Sequence, residues 1–192
     1  MEQQSKILEL ASKPTINTIH NKTKNIITLN MYLNDHCKEA MTLNTFIKSI
    51  KPSTEQIMYM TNKGNREGLI QIMNHTLCSM NITERPIHFT DIKRNTTWVK
   101  NDDGWCKEHE LESMNRLCKN INRSCTIKIM EIIDEDKEYS IPRSDKHELF
   151  LKMVMEANGG AGLKEDSNAL AAINIIKDRI YLGSNNIVKA VL

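Results

Sequence analysis

Two pairs of residues carry the spacing of a zinc site. His75 and Cys78 stand three apart, as do Cys106 and His109. A thiolate and an imidazole at that spacing point to one side of a helical turn. Two such pairs supply the donors of a tetrahedral Cys₂His₂ centre. The competing reading has both thiols packed and both histidines at the surface. It is preferred, because the pairs fall on expected regular elements rather than on a knuckle, so no metal and no cofactor is expected. Nucleophilic chemistry has weaker footing. His36 and Cys37 are adjacent, so on a helix they point apart, and no third group stands ready to orient a base. His88, near Asp91, reads as a satisfied structural histidine. The run "DEDKE" (Asp134 to Glu138) reads as solvated charge. The glycines of "NGGAGLKED" follow a helix rather than a strand and lack the lysine-plus-hydroxyl arrangement that holds phosphate. The chain is not expected to be an enzyme.

The stretch "RPIHFTDIKRNTTWVKNDDGWCKE" (Arg85 to Glu108) offers a different chemistry. It holds both tryptophans, and Lys93, Arg94, Lys100 and Lys107 lie within it. "TTWVK" and "WCKE" flank the turn signal "NDDG", which predicts a β-hairpin with Gly104 at positive φ. "PIHFTDI" adds a third extended piece. Alternation along a strand puts Thr96, Trp98 and Lys100 on one face. A helix followed by a basic, aromatic hairpin is the layout of a winged-helix-like module, whose wing sets cations against phosphates. Arg85, Lys93, Arg94, Trp98 and Lys100 are therefore the expected nucleic-acid contacts. Asp91, Asp102, Asp103 and Glu108 dilute that field, and the alternative is that both tryptophans anchor the core. A second basic group spreads over Arg116, Lys119, Arg123 and Lys128.

These residues need a scaffold, and composition allows one. With 40% hydrophobic and 26% charged residues, the 192-residue chain can bury a core rather than stay disordered. A net charge of +2 excludes a general polyanion binder, so any nucleic-acid contact needs local clustering. Five cysteines, odd in number and without paired spacing, point to a reducing compartment. No signal peptide or membrane-length apolar run is visible, so neither secretion nor a membrane partner is expected. The pattern predicts a helix-rich α+β fold. Residues 1–24 read as a short helix and extended arm, 25–183 as one globular domain, and 184–192 as a tail. "NIITLNMYLN" alternates and predicts a short N-terminal strand. Asp35 is expected to cap a short helix carrying Cys37, and Thr42 to start another. Ser53 with Gln56 makes a capping box for a helix over about 54–63, stopped by Gly64. Amphipathic helices follow at about 66–80, from Leu111 to about Ile133, after Ser144, and from Asp166 or Ser167.

The blocks "NMYLNDHCKEAMTLNTFIKSI" (Asn30 to Ile50) and "ERPIHFTDIKRNTTWVKNDDGWCKE" (Glu84 to Glu108) resemble a poorly characterised family of large double-stranded DNA viruses of eukaryotes. In that family a stretch like "FLNxxCKDAMNxxxFIxSI" precedes a "RPIHCTDLKRxxxYIKDxxxW" hairpin. The resemblance spans roughly residues 16–182. It departs at Phe89, where the family has cysteine, and at Trp98, where it has tyrosine. Many members carry an N-terminal zinc finger, but residues 1–24 contain no cysteine, which removes the clearest argument for direct DNA binding. The resemblance implies a viral accessory or virion protein inside the host cell, in the cytoplasmic factory or the nucleus. The leading expectation is a non-enzymatic interaction module, nucleic-acid-associated through its hairpin. The alternative is an assembly protein that forms homo-oligomers, or docks on other viral proteins, through its termini.

Overall fold

The computed structural model describes residues 29–160 and 165–183. The expected arm at 1–24 and tail at 184–192 lie outside them. Helical backbone at 29–35 (α1) leads through turns to α2, Leu43–Ser49. Helices α3, Thr54–Lys63, and α4, Asn65–Met73, follow, and α4 runs on into one π turn at Asn74–Cys78. Three antiparallel strands come next: β1, Ile87–Asp91; β2, Thr96–Asn101; and β3, Gly104–Glu108. The long helix α5, Glu112–Glu135, is joined by a 3₁₀ turn at Lys137–Ser140 to α6, Asp145–Ala157. Helix α7 covers Glu165–Ile176. The architecture is α+β and helix-rich, as the pattern predicts.

Local chemistry sets most boundaries. The Thr42 side chain accepts a hydrogen bond from the Thr45 N–H at 3.2 Å, satisfying an otherwise unpaired donor at the start of α2. Ser53 and Gln56 cap α3 reciprocally: Gln56 N–H donates to Ser53 Oγ at 3.3 Å, and Ser53 N–H to Gln56 Oε1 at 2.9 Å. Helix α5 begins without a side-chain cap from its left-handed N-cap residue, Leu111. The Glu108 carboxylate takes over that role and accepts the Ser113 N–H at 2.9 Å. Its negative charge also suits the helix N-terminus.

Two clusters of buried side chains hold the elements together. The larger joins α2 to α7 with one face of the sheet. Leu69, Ile72, Met73, Met114, Leu117, Ile121, Ile129 and Ile173 are fully inside it, together with Ile87, Phe89 and Val99 from the strands. Full burial of each aliphatic side chain contributes about 1.5–3 kcal/mol before entropy is subtracted. The smaller cluster lies on the other face of the sheet. There Tyr32, Leu33, Cys37 and Ala40 cover Trp98, with Leu182 alongside and Leu29 and Trp105 packed at its edge.

That smaller cluster corrects the expected strand at "NIITLNMYLN" from Leu29 onward, residues 25–28 lying outside the described ones. Residues 29–35 are helical, because Leu29, Tyr32 and Leu33 fall three and four apart, so they share one helical face. Met31, which alternation assigned to the buried side, is 58% exposed, and Tyr32 is buried instead. The helix expected around Cys37 is a series of turns.

Candidate functional site

Strand pairing decides which side chains of the ribbon can meet a ligand. His88 pairs with Trp98, and Trp98 with Lys107. Lys100 pairs with Trp105. Directly opposed residues share a face, so His88, Trp98, Lys100, Trp105 and Lys107 all project to one side. The middle of that side lies under residues 29–40. Trp98 is therefore core and is removed from the expected contacts. The ribbon's centre is held between two packed layers and does not project as a wing.

The two edges of the sheet differ. Along β1, Phe89 N–H donates to the Ile180 carbonyl at 3.1 Å, and Leu182 N–H to the Phe89 carbonyl at 2.7 Å, so residues 180–182 occupy that edge. Among the described residues β3 carries no further strand. On β3, Trp105 is half-buried and Lys107 is exposed. The Trp105 indole N–H donates to the Cys37 carbonyl at 3.3 Å, which fixes the ring's orientation. The Lys100 Nζ sits 5.8 Å from the ring centroid, within reach of a cation–π attraction.

The other expected contacts are placed as follows. The Arg85 guanidinium donates to three carbonyls: Cys78 at 2.9 Å, Met80 at 3.1 Å and Arg179 at 3.1 Å. It staples the end of the π turn to the segment after α7 and has little left for a phosphate, which corrects its role to a structural one. Arg94 stays exposed, but Asp91 holds it at both ends. The Arg94 N–H donates to the Asp91 carboxylate at 3.0 Å, and the guanidinium lies 3.8 Å from it. Lys93 is exposed beside it. These two sit at the β1–β2 turn, roughly 17 Å along β2 from Lys100 and the second turn. The five expected contacts therefore do not form one surface. The side chains this face presents at the β3 edge are Trp105 and Lys107, neither of which is among the five expected contacts. The signal that separates Trp105 from Trp98 is strand order, central against edge.

The two zinc-spaced pairs fall on different elements. His75 and Cys78 lie on the π turn, while Cys106 lies on β3 and His109 just beyond it. Among the described residues no group of three or more His, Cys, Asp or Glu is gathered as a metal ion would need. Cys106 instead faces Asn101, whose side-chain amide donates to its sulfur at 2.9 Å. His88 is not the satisfied histidine its neighbours suggest. It is fully buried, its ring lies 5.6 Å from that of Trp105, and neither ring nitrogen has a hydrogen-bond partner among the described residues. Burial, with the Arg85 charge adding to it, pulls its pKa down to about 3. Burial pushes the Cys37 thiol up to about 11, against the nearby charge of Lys100. It pushes Cys118 and Cys125 up to about 12. Such thiols are poor nucleophiles at neutral pH. Among the described residues no helix is long and apolar enough to cross a membrane.

Comparison of the chain with family models, curated proteins and solved structures finds no match.

Proposed function

We propose that this protein is a non-enzymatic module that holds single-stranded nucleic acid at the β3 edge of its β2–β3 ribbon. Trp105 offers a ring on which one base stacks, and Lys100 and Lys107 meet the flanking phosphates. The observation that carries this reading is the edge strand itself, where a tethered, half-buried tryptophan has a lysine beside it and another across the ribbon on the same face. Base–aromatic stacking contributes about 1–3 kcal/mol per base and tolerates any sequence. Glu108, expected to weaken the field, is occupied at the start of α5. Three of the five thiols, Cys37, Cys118 and Cys125, are buried with raised pKa values, which favours a non-catalytic role for them. A setting inside a cell infected by a large DNA virus rests on the resemblance of the two sequence blocks. The test is affinity for a short oligothymidine across a salt series. Reversing both Lys100 and Lys107 to glutamate should abolish most binding and flatten the salt slope by about 1.4, roughly 0.7 for each phosphate that is no longer neutralised. An unchanged slope would reject the site.

A further inference from the structure

We infer that the outer face of α5 is a self-association surface, on which a second copy of the chain docks its own α5 antiparallel. Arg116, Lys119, Arg123, Ile127, Met130, Glu131 and Asp134 follow one another along the helix, mostly at spacings of three and four, which makes them one continuous stripe. The stripe is about 27 Å long from Arg116 to Asp134. Its opposite side is the core face of α5, with Met114, Leu117, Ile121, Cys125 and Ile129 buried.

The stripe is ordered by charge. Its first half is cationic, its middle is apolar with Ile127 and Met130 at 55% and 44% exposure, and its last part is acidic. The helix dipole does not reward that order. Carboxylates near a C-terminus and cations toward the N-terminal half both oppose the helix dipole. A second copy related by a twofold axis at Ile127 does reward it. Arg123 and Glu131 each lie four residues from Ile127, and Lys119 and Glu135 each lie eight. Antiparallel docking therefore sets Arg123 and Lys119 of one copy opposite Glu131 and Glu135 of the other, whereas parallel docking sets like charges together. Such an interface is isologous and closes at two copies.

The shape around Ile127 fits the same occupant. The side chain stands between two hollows of about 440 and 420 Å³, one against Lys48, Lys51 and Pro52 and the other against Ala157, Asn158 and Glu165. The matching apolar ridge of a second copy can seat beside it. The stripe's ion pairs inside the monomer lie at the surface: Glu131 with the half-buried Lys128 at 3.0 Å, and the exposed pairs Asp134 with Lys137 at 2.8 Å and Lys119 with Asp166 at 4.0 Å. Pairs of that kind contribute little and do not withhold these groups from a partner.

The test uses the full chain and sedimentation velocity over a concentration series. The wild type should form dimers that weaken as salt rises. Arg123→Glu and Glu131→Arg should each shift the protein to monomer, while a one-to-one mixture of the two variants should restore a dimer, since each then meets its complement. Both positions are exposed, and circular dichroism would confirm that the variants fold. A wild-type monomer at every concentration would overturn the inference. So would a dimer that survives both single substitutions. A monomeric protein that loses oligothymidine on Arg123→Glu would also overturn it, by assigning the cationic half to nucleic acid.

Discussion

Replacing His88 with phenylalanine should make the protein's stability less dependent on pH. The imidazole is fully buried against Trp105 without a hydrogen-bond partner among the described residues. Its pKa falls from 6.5 to about 3 on folding, through burial first and the Arg85 charge second. The sign follows from linkage. A depressed folded-state value means that the unfolded chain takes up a proton the folded chain refuses. The contribution is complete above pH 6.5 and is lost as pH falls toward 3. Between pH 7 and pH 5 the unfolded-state binding polynomial rises from about 1.3 to roughly 33, and RT times the logarithm of that ratio is about 2 kcal/mol. A folded-state value one unit higher changes the result by only about 0.1 kcal/mol. Urea unfolding followed by circular dichroism at pH 7, 6 and 5 would measure it. The wild type should lose about 2 kcal/mol more than His88→Phe over that interval, because every other titrating group is common to both. Parallel curves would refute the reasoning and would mean that His88 is solvated or paired when folded.

Other outcomes follow from packing and exposure. Gly68→Ala gains up to about 1 kcal/mol in helix propensity, yet a methyl group there would lie 2.6 Å from Met60 Cβ. Overpacking should win and cost about 1–3 kcal/mol in chemical denaturation. Arg85→Lys should cost about 2 kcal/mol by the same measurement, because a lysine cannot reproduce the fork that reaches three carbonyls. It should leave oligothymidine affinity unchanged. Thiol titration of the folded protein should show Cys106 reacting fast and Cys78 more slowly, with Cys37, Cys118 and Cys125 reacting only on unfolding.

The elements set by local chemistry were legible in the sequence. Thr42, the Ser53–Gln56 pair, Gly64 and Ser144 mark helix ends by side-chain bonds and backbone preferences that span only a few residues. The turn after Asn101 is equally local, and Gly104 has φ of 116° as its residue type predicts. Residues 29–35 are not legible as helix because so short an apolar run satisfies both periods. The choice is made by a distant sheet face that Tyr32 and Leu33 must cover. Which tryptophan lies beneath residues 29–40 is not legible for a similar reason, since only the order β1–β2–β3 reveals which strand is central. Arg85 looked free because one of its acceptors, the Arg179 carbonyl, lies 94 residues away.

The proposed nucleic-acid site turns on Trp105 meeting the ligand while Trp98 does not, and fluorescence of single-tryptophan variants measures this directly. On titration with oligothymidine, Trp98→Phe retains only Trp105, and its emission should be quenched as a base stacks on the indole. Trp105→Phe retains only the buried Trp98, and its emission should stay constant as affinity drops. Quenching in the second variant but not the first would contradict the account.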